Sequence, residues 1–495
     1  MEKPFNNEKY LELQSENILK RVEQYDNKLY LEVGGKLFDD YHASRVLPGF
    51  EIDTKLRMLS RLQDKVEFIL AINSNDIEAN KIRKDLNITY DNEVFRMIDR
   101  LTRRGFYVSS VVVTHLRDTI SKTVSNFMKK LERHGVKVYK HYFIDTYPND
   151  LSIVISENGF GRNEYVETSR PIVVVNAPGP GSGKMATCMS QLYNEFKRGV
   201  KAGYAKYETF PIWNLGLEHP VNLAYESATA DLNDENMVDI YHEIAYGKRT
   251  TNYNRDIQAF PIVREMLTRI YGKSPYNSPT DMGVNMAGFA IEDDAKVQEA
   301  SKQEIIRRLF DTKIDYANGT VEKSAIEKIE KIMRYLNLDV NDRDVYKAAI
   351  KREEETGQTS AAMQFEDGSI VTSKTSSLFG CASALILNAL KHVSNISKEI
   401  DVLSISVLEP IQQMKVESLG HRNPHLHIDE TLIALAISAQ TSPVAKLVFD
   451  NLNKLNGAEA HFTCKLSKGD EQTLKRLKVN FTTEPDYEDN RLAND

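Results

Sequence analysis

Three cysteines in 495 residues, Cys188, Cys381 and Cys464, are too few and too irregularly spaced for a disulfide framework or a cysteine-rich zinc site. Tryptophan is scarcer still, with Trp213 alone. A large net charge is also missing. The 64 basic and 71 acidic residues leave −7, with a pI near 6.0, so nothing draws the chain as a whole to nucleic acid or to an anionic membrane. No apolar run approaches bilayer-spanning length, and the first residues, Met1 to Lys9, lack the apolar core of a signal peptide; the expectation is a cytoplasmic protein. Neither a G-x-S-x-G elbow nor an H-E-x-x-H helix occurs, which leaves a serine hydrolase or a zinc protease without support. Internal repeats and low-complexity segments are absent as well.

What is present is the composition of a globular chain, 41% hydrophobic and 27% charged, long enough for two or three domains. Apolar β-branched runs alternate with helical patterns through the first half. A helix at 7–27 precedes strands at 28–35, 66–73, 108–115 and 136–144, with helices at 53–65, 90–104 and 118–134 between them. Such alternation predicts a mostly parallel, Rossmann-like or P-loop-like α/β sheet. Asp53 and Asp91 fall where N-caps belong, and Gly105 and Gly135 where C-terminal glycines do. Further strands are expected at 151–155, 172–175 and 204–212. Residues 295–356 read as long charged helices, a spacer or an oligomerisation element. Beyond Gly357 come a hairpin around Asp367-Gly368, an apolar helix at 381–393, a strand at 402–408, helices at 428–439 and 443–455, and a strand at 458–466. The expected division is an α/β domain at 1–290, a helical segment at 291–356, a smaller α/β or α+β domain at 357–483, and an acidic, disordered tail at 484–495.

The stretch with most chemistry in it is Pro171-Ile-Val-Val-Val-Asn-Ala-Pro-Gly-Pro-Gly-Ser-Gly-Lys-Met-Ala-Thr187. It reads as a buried strand, a tight loop and a helix. Gly179, Gly181 and Gly183 let a ligand approach the backbone, and Lys184 stands at a helix N-terminus, where free amides and the helix dipole favour an anion. Compared with the P-loop pattern G-x-x-x-x-G-K-[ST], Gly183 and Lys184 fit, but Pro178 occupies the first glycine position and Met185 replaces the hydroxyl that would hold Mg²⁺. Ser182 or Thr187 could substitute, or a carboxylate from Asp231, Asp234 or Asp281. The same residues also read as Gly181-x-Gly183-x-x-Ala186, the dinucleotide pattern, whose acid about twenty residues on is missing; Glu208 is the nearest candidate. Both patterns agree on an anion at the helix N-terminus; the P-loop reading makes it a small phosphorylated ligand, with ATP or GTP and Mg²⁺ the cofactors implied. A glycine-rich turn with a solvated lysine is the plain alternative.

Other polar clusters admit two readings each. Asp39, Asp40, His42, Ser44 and Arg45 follow the first strand, in a ligand loop or an ordinary one. The segments 229–234, 252–256 and 278–288 are rich in ligand groups and equally in turn formers. His421-Arg-Asn-Pro-His425-Leu-His427-Ile-Asp429 could ligate a transition metal, contact an anion, or lead into an Asp-capped helix. Cys381 at a helix start is a reactive thiol or a small core residue.

Segments 177–187, 224–233, 278–288 and Gly34-Gly-Lys-Leu-Phe-Asp-Asp40 resemble a family of bacterial proteins of about this length that bear a placeholder, unknown-function name. The resemblance covers nearly the whole chain and implies a cytoplasmic bacterial protein. Some members are labelled ATP-dependent peptidases, a label that no protease constellation in this sequence supports. The expectation is a phosphate- or nucleotide-dependent enzyme with a divergent P-loop and Lys184 at its centre, possible as a homo-oligomer. A non-catalytic anion-sensing regulator and a metal enzyme built on the histidines are the rivals.

Overall fold

In the computed structural model, residues 3–83 and 88–486 are described. The chain divides into two compact units, one of residues 1–226 and 233–301, the other of 227–232 and 302–495.

The first unit is built on six strands: β1 (Leu29–Val33), β2 (Val66–Asn73), β3 (Tyr107–Leu116), β4 (Lys137–Tyr142), β5 (Ile172–Asn176) and β6 (Gly203–Tyr207). They form one sheet in the order β4-β3-β2-β5-β1-β6, every neighbouring pair parallel. Helices cover both faces, as parallel sheets require. Alternate residues divide between two cores. Leu29, Leu31, Val33, Phe68, Leu70, Val174 and Tyr207 pack with apolar residues of α1 (Asn7–Glu23), α2 (Tyr90–Arg103) and α3 (Lys122–Arg133). Tyr30, Ile69, Val173, Val175 and Tyr204 pack on the other face with Cys188, Met189 and Leu192 of α4 (Lys184–Lys197) and with Phe260, Val263 and Leu267 of α5 (Asn254–Tyr271). Central strands buried on both sides explain the unbroken apolar run at 172–175.

The connectivity decides where a ligand can sit. From β2 the chain moves outward to β3 and β4, whereas from β5 it moves the other way, past β1, to β6. β2 and β5 are neighbours, so the chain leaves their carboxyl ends in opposite directions and opens a crevice there, the place where open α/β sheets bind ligands. The glycine loop follows β5, at that switch point.

The second unit holds a four-stranded mixed sheet, β7 (Ser360–Gln364), β8 (Ile370–Lys374), β9 (Glu459–Phe462) and β10 (Asn480–Thr483), in the order β8-β7-β9-β10. The β7–β8 and β7–β9 pairs are antiparallel and β9–β10 is parallel. Met363, Leu385, Ile386, Leu435, Val448 and Phe462 lie in its core.

Several expected elements differ. The strand expected at 151–155 is a single helical turn, Leu151–Val154, because the Asp150 carboxylate accepts the Ser152 and Ile153 amides. The strand expected at 402–408 is helix Ile405–Gln413, with Ser404 in extended conformation at its N-cap. A short apolar run cannot choose between the two periods by itself. The strand at 204–212 stops at Tyr207. Asp53 holds its N-cap position without a side-chain bond, and Thr89 rather than Asp91 precedes α2. Gly105 and Gly135 do take the left-handed conformation, with φ of 79° and 76°. Most of the expected acidic tail, residues 487–495, lies outside the described residues. Among the described residues no helix is long and apolar enough to cross a membrane.

Candidate functional site

The loop after β5 is held from behind. Asn73, at the carboxyl end of β2, donates its amide to the Gly181 carbonyl at 3.1 Å, and Thr114 of β3 donates its hydroxyl to the Ser182 carbonyl at 2.9 Å. The Ser182 hydroxyl closes on the Gly179 carbonyl at 2.9 Å. Three loop carbonyls are thus engaged by the protein. The first turn of α4 leaves the amides of Lys184, Met185 and Ala186 without intrahelical acceptors.

Each glycine has its own reason to be one. Gly181 and Gly183 have φ of 76° and 85°, where side chains are strained. A Cβ on Gly183 would lie 3.0 Å from Thr114 Cγ2, and one on Gly179 would lie 2.2 Å from the Tyr90 hydroxyl; one on Gly181 would meet none of the described residues within 4 Å. Lys184 is half-buried, and among the described residues no carboxylate lies within ion-pair distance of it. Thr187, one turn on, is fully buried, and its hydroxyl has no hydrogen-bond partner among the described residues.

At this edge His115, Glu32 and Lys206 were not singled out by sequence reasoning, whereas Glu208 was the candidate acid of the dinucleotide pattern. His115 follows Thr114 with φ 58°, its Nδ1 lying 3.2 Å from the Thr114 hydroxyl, and burial lowers its proton affinity despite the nearby Asp76. Glu32 of β1, 7% exposed, accepts the Tyr204 hydroxyl at 2.8 Å and, like Lys184, lies within electrostatic reach of the Cys188 thiol. At the end of β6, Lys206 bonds both oxygens of Asp256, at 2.6 and 2.7 Å, and lies 3.1 Å from Glu208; Tyr253 donates to both Glu208 oxygens. Burial works against the Lys206 charge, but Asp256 and Glu208 outweigh it and hold the ammonium cationic. Burial raises the proton affinity of Glu208. A Cβ on Gly34 would lie 2.1 Å from the Glu208 carboxylate, so the glycine makes room for it. Glu208 directly follows the strand that α4 leads into, the place of the acid in a dinucleotide-binding unit, although β1 separates β5 from β6 here. A positive φ on a histidine is invisible in sequence; the spacing of Lys206 and Glu208, two residues apart at a strand end, was the available signal.

The remaining candidates are placed elsewhere. Asp234 is buried and pairs with Arg255, with N···O distances of 2.5 Å. Asp281 accepts the Tyr246 hydroxyl at 2.7 Å and the Asn277 amide at 3.0 Å. Asp231 belongs to the second unit, where it lines a 160 Å³ cavity with Arg308, Asp311 and Asp315. Asp40 caps the short helix Tyr41–Val46 and pairs with Lys55 at 3.0 Å, while Asp39 pairs with Arg100. In the histidine segment, His421 is exposed, His425 is half-buried, and His427 itself is the N-cap of helix Ile428–Ser438, in place of the expected aspartate. Its Nδ1 lies 2.8 Å from Asp470, and that bond raises its proton affinity. Among the described residues, no group of three or more His, Cys, Asp or Glu side chains is arranged to hold a metal ion. Cys381 is buried, 3.7 Å from Cys464.

A parallel α/β sheet with a glycine loop at its switch point, followed by a smaller mixed-sheet unit, is thus the class of protein this chain represents. Family models described as "Domain of unknown function DUF1846, N-terminal" and "Domain of unknown function DUF1846, C-terminal" match residues 3–337 and 341–492. The chain belongs to this family. It is 50% identical over 488 residues to UPF0371 protein SpyM50764 of Streptococcus pyogenes serotype M5 (strain Manfredo), covering 99% of this chain and 98% of the relative. A UPF0371 protein of Streptococcus pneumoniae (strain Hungary19A-6) is similar to the same extent.

Proposed function

We propose that the protein is an enzyme acting on a small phosphorylated ligand of the nucleotide class, such as ATP or GTP with Mg²⁺, bound at residues 179–184. The observation that carries this reading is the loop's position: it follows β5 at the switch point beside β2, with its carbonyls drawn back by Asn73 and Thr114. Carbonyls turned into the protein leave the amide side of the loop and the α4 N-terminus for an anion. Lys184, with no carboxylate partner among the described residues, supplies the countercharge. The buried hydroxyl of Thr187 supports a polar group at this end of α4. Phosphoryl transfer needs such positioning and charge stabilisation more than covalent chemistry by the protein.

Calorimetric titration with pyrophosphate, ATP and GTP tests this. Lys184→Ala is expected to weaken binding at least about tenfold, the scale of one charge-assisted contact. Equal affinity in the variant would sink the reading. A second reading, an anion sensor without turnover, is favoured by Met185 in place of the metal-binding hydroxyl and by the Ser182 hydroxyl being spent on Gly179. Ligand-induced thermal stabilisation without phosphate release in Mg²⁺ would select it.

A further inference from the structure

We propose that His115 is the proton acceptor of the glycine-loop site, taking the proton from a water or hydroxyl that attacks a phosphoryl group seated on residues 179–184. This rests on the function proposed above and adds to it the residue that would move the proton.

The argument starts from one hydroxyl. Thr114 Oγ1 has a single proton, and its two acceptors are both carbonyls, Ser182 O at 2.9 Å and Ile72 O at 3.3 Å. We assign the hydroxyl proton to the Ser182 carbonyl, the shorter of the two contacts, which leaves an oxygen lone pair facing His115 Nδ1 at 3.2 Å. In that arrangement Nδ1 carries the imidazole proton and Nε2 is the bare, proton-accepting nitrogen. The hydrogen-bonded chain runs from imidazole to Thr114 to the loop carbonyl, so the ring's tautomer is set by the same contact that holds the glycine loop.

The surroundings agree. His115 sits at the carboxyl end of β3, and its carbonyl accepts the Ser74 hydroxyl, at 3.0 Å, from the helical turn that follows β2. Its φ of 58° is a conformation that non-glycine residues hold at a cost, and such strain gathers at functional sites. The ring lies against Phe143, with centroids 5.9 Å apart. The charged groups facing it are Asp76, on helix Ser74–Glu78, and Arg117, just past β3. Burial outweighs Asp76 and favours the neutral ring, the form a base needs. Nε2 has no hydrogen-bond partner among the described residues.

In the step itself, a bond forms between the attacking oxygen and phosphorus while the bond from phosphorus to the leaving oxygen breaks. The leaving oxygen departs with the electron pair, as nucleoside diphosphate when the donor is a triphosphate. The proton of the attacking oxygen passes to Nε2.

Two measurements on the full chain test the inference: pyrophosphate binding, and phosphate release from ATP and GTP with Mg²⁺. His115→Asn tolerates the left-handed backbone and cannot serve as a base. It is expected to keep pyrophosphate affinity within about threefold while phosphate release falls about 100-fold. Wild-type release should decline as pH drops through the His115 titration, and the variant should lose that limb. His115→Gly also tolerates φ 58° and opens room for added imidazole, which should restore release. Unchanged release in His115→Asn, no rescue in His115→Gly, or bound pyrophosphate with no release by the wild type would each overturn the role of His115 and leave anion binding standing. If the wild type binds no pyrophosphate, or Lys184→Ala binds it equally well, the underlying reading falls and His115 with it.

Discussion

At the scale of single residues, the three loop glycines are constrained differently, and the difference can be measured. Gly181 needs only its φ of 76°, since a Cβ there would meet nothing within 4 Å among the described residues. Gly181→Ala is expected to cost about 1–2 kcal/mol, the left-handed penalty alone. Gly183→Ala adds a contact 3.0 Å from Thr114, the residue that holds the Ser182 carbonyl, and should cost more and disturb the loop. Gly179→Ala retains an allowed backbone but drives its Cβ to 2.2 Å from the Tyr90 hydroxyl, so its cost depends on how far a ring at the start of α2 can move. Urea denaturation gives the stability order and pyrophosphate titration the effect on the site. A Gly183→Ala variant no less stable than Gly181→Ala would contradict this account of the loop. Of the three reasons, only the need for backbone freedom could be read from glycine spacing; Tyr90 and Thr114 come from other strands and helices and leave no mark near residue 180.

At the scale of elements, long periodic segments were legible and short ones were not. Val66–Asn73 and Cys381–Val393 fall where their patterns put them, because eight or more residues of one period outvote any local exception. Residues 151–155 and 402–408 each had too few residues to choose, and a capping aspartate and an extended Ser404 turned both to helix. Strand order was not legible at all: that β5 inserts between β2 and β1 is fixed by packing of both faces, yet it is what puts the glycine loop at the switch point of the sheet. The histidine segment carries a similar lesson. His427 caps its helix through a partner 43 residues away, since Asp470 accepts from Nδ1 at 2.8 Å and from the Ile428 amide at 2.8 Å. Asp470→Asn should destabilise the second unit by about 1–3 kcal/mol, the cost of a broken charged hydrogen-bond group. The bond raises the proton affinity of His427, so its contribution is full below the unfolded histidine value near 6.5 and is lost as pH rises through the higher folded value. Urea midpoints of wild type and variant should therefore lie furthest apart in mild acid and converge toward alkaline pH. A gap that widens instead would reverse the sign assigned to this pair.

At the scale of the molecule, each unit holds a deeply buried histidine that resists protonation. His141, in the first unit, is 3% exposed, and burial pushes its pKa down to about 4. His461, in the second, is fully buried, and burial, then the Arg343 charge, push it down to about 3. In the unfolded chain both would titrate near 6.5, so between that value and the folded ones the unfolded state binds more protons and stability falls with pH. Each tenfold loss of proton affinity is worth about 1.4 kcal/mol, so the cost approaches a few kcal/mol per histidine at the acid end. His427 works in the opposite direction in the second unit, but its side chain is 27% exposed and solvent screens its bond, so His461 should prevail there. Trp213, the only tryptophan, lies in the first unit and reports on it alone, whereas circular dichroism follows both. Urea unfolding between pH 7 and 4 should show both signals moving to lower midpoints. His141→Gln should flatten the pH dependence of the tryptophan signal, and His461→Gln that of the dichroism component the tryptophan does not follow. If the slopes persist unchanged in those variants, the acid sensitivity comes from other groups and the two buried imidazoles are not its source.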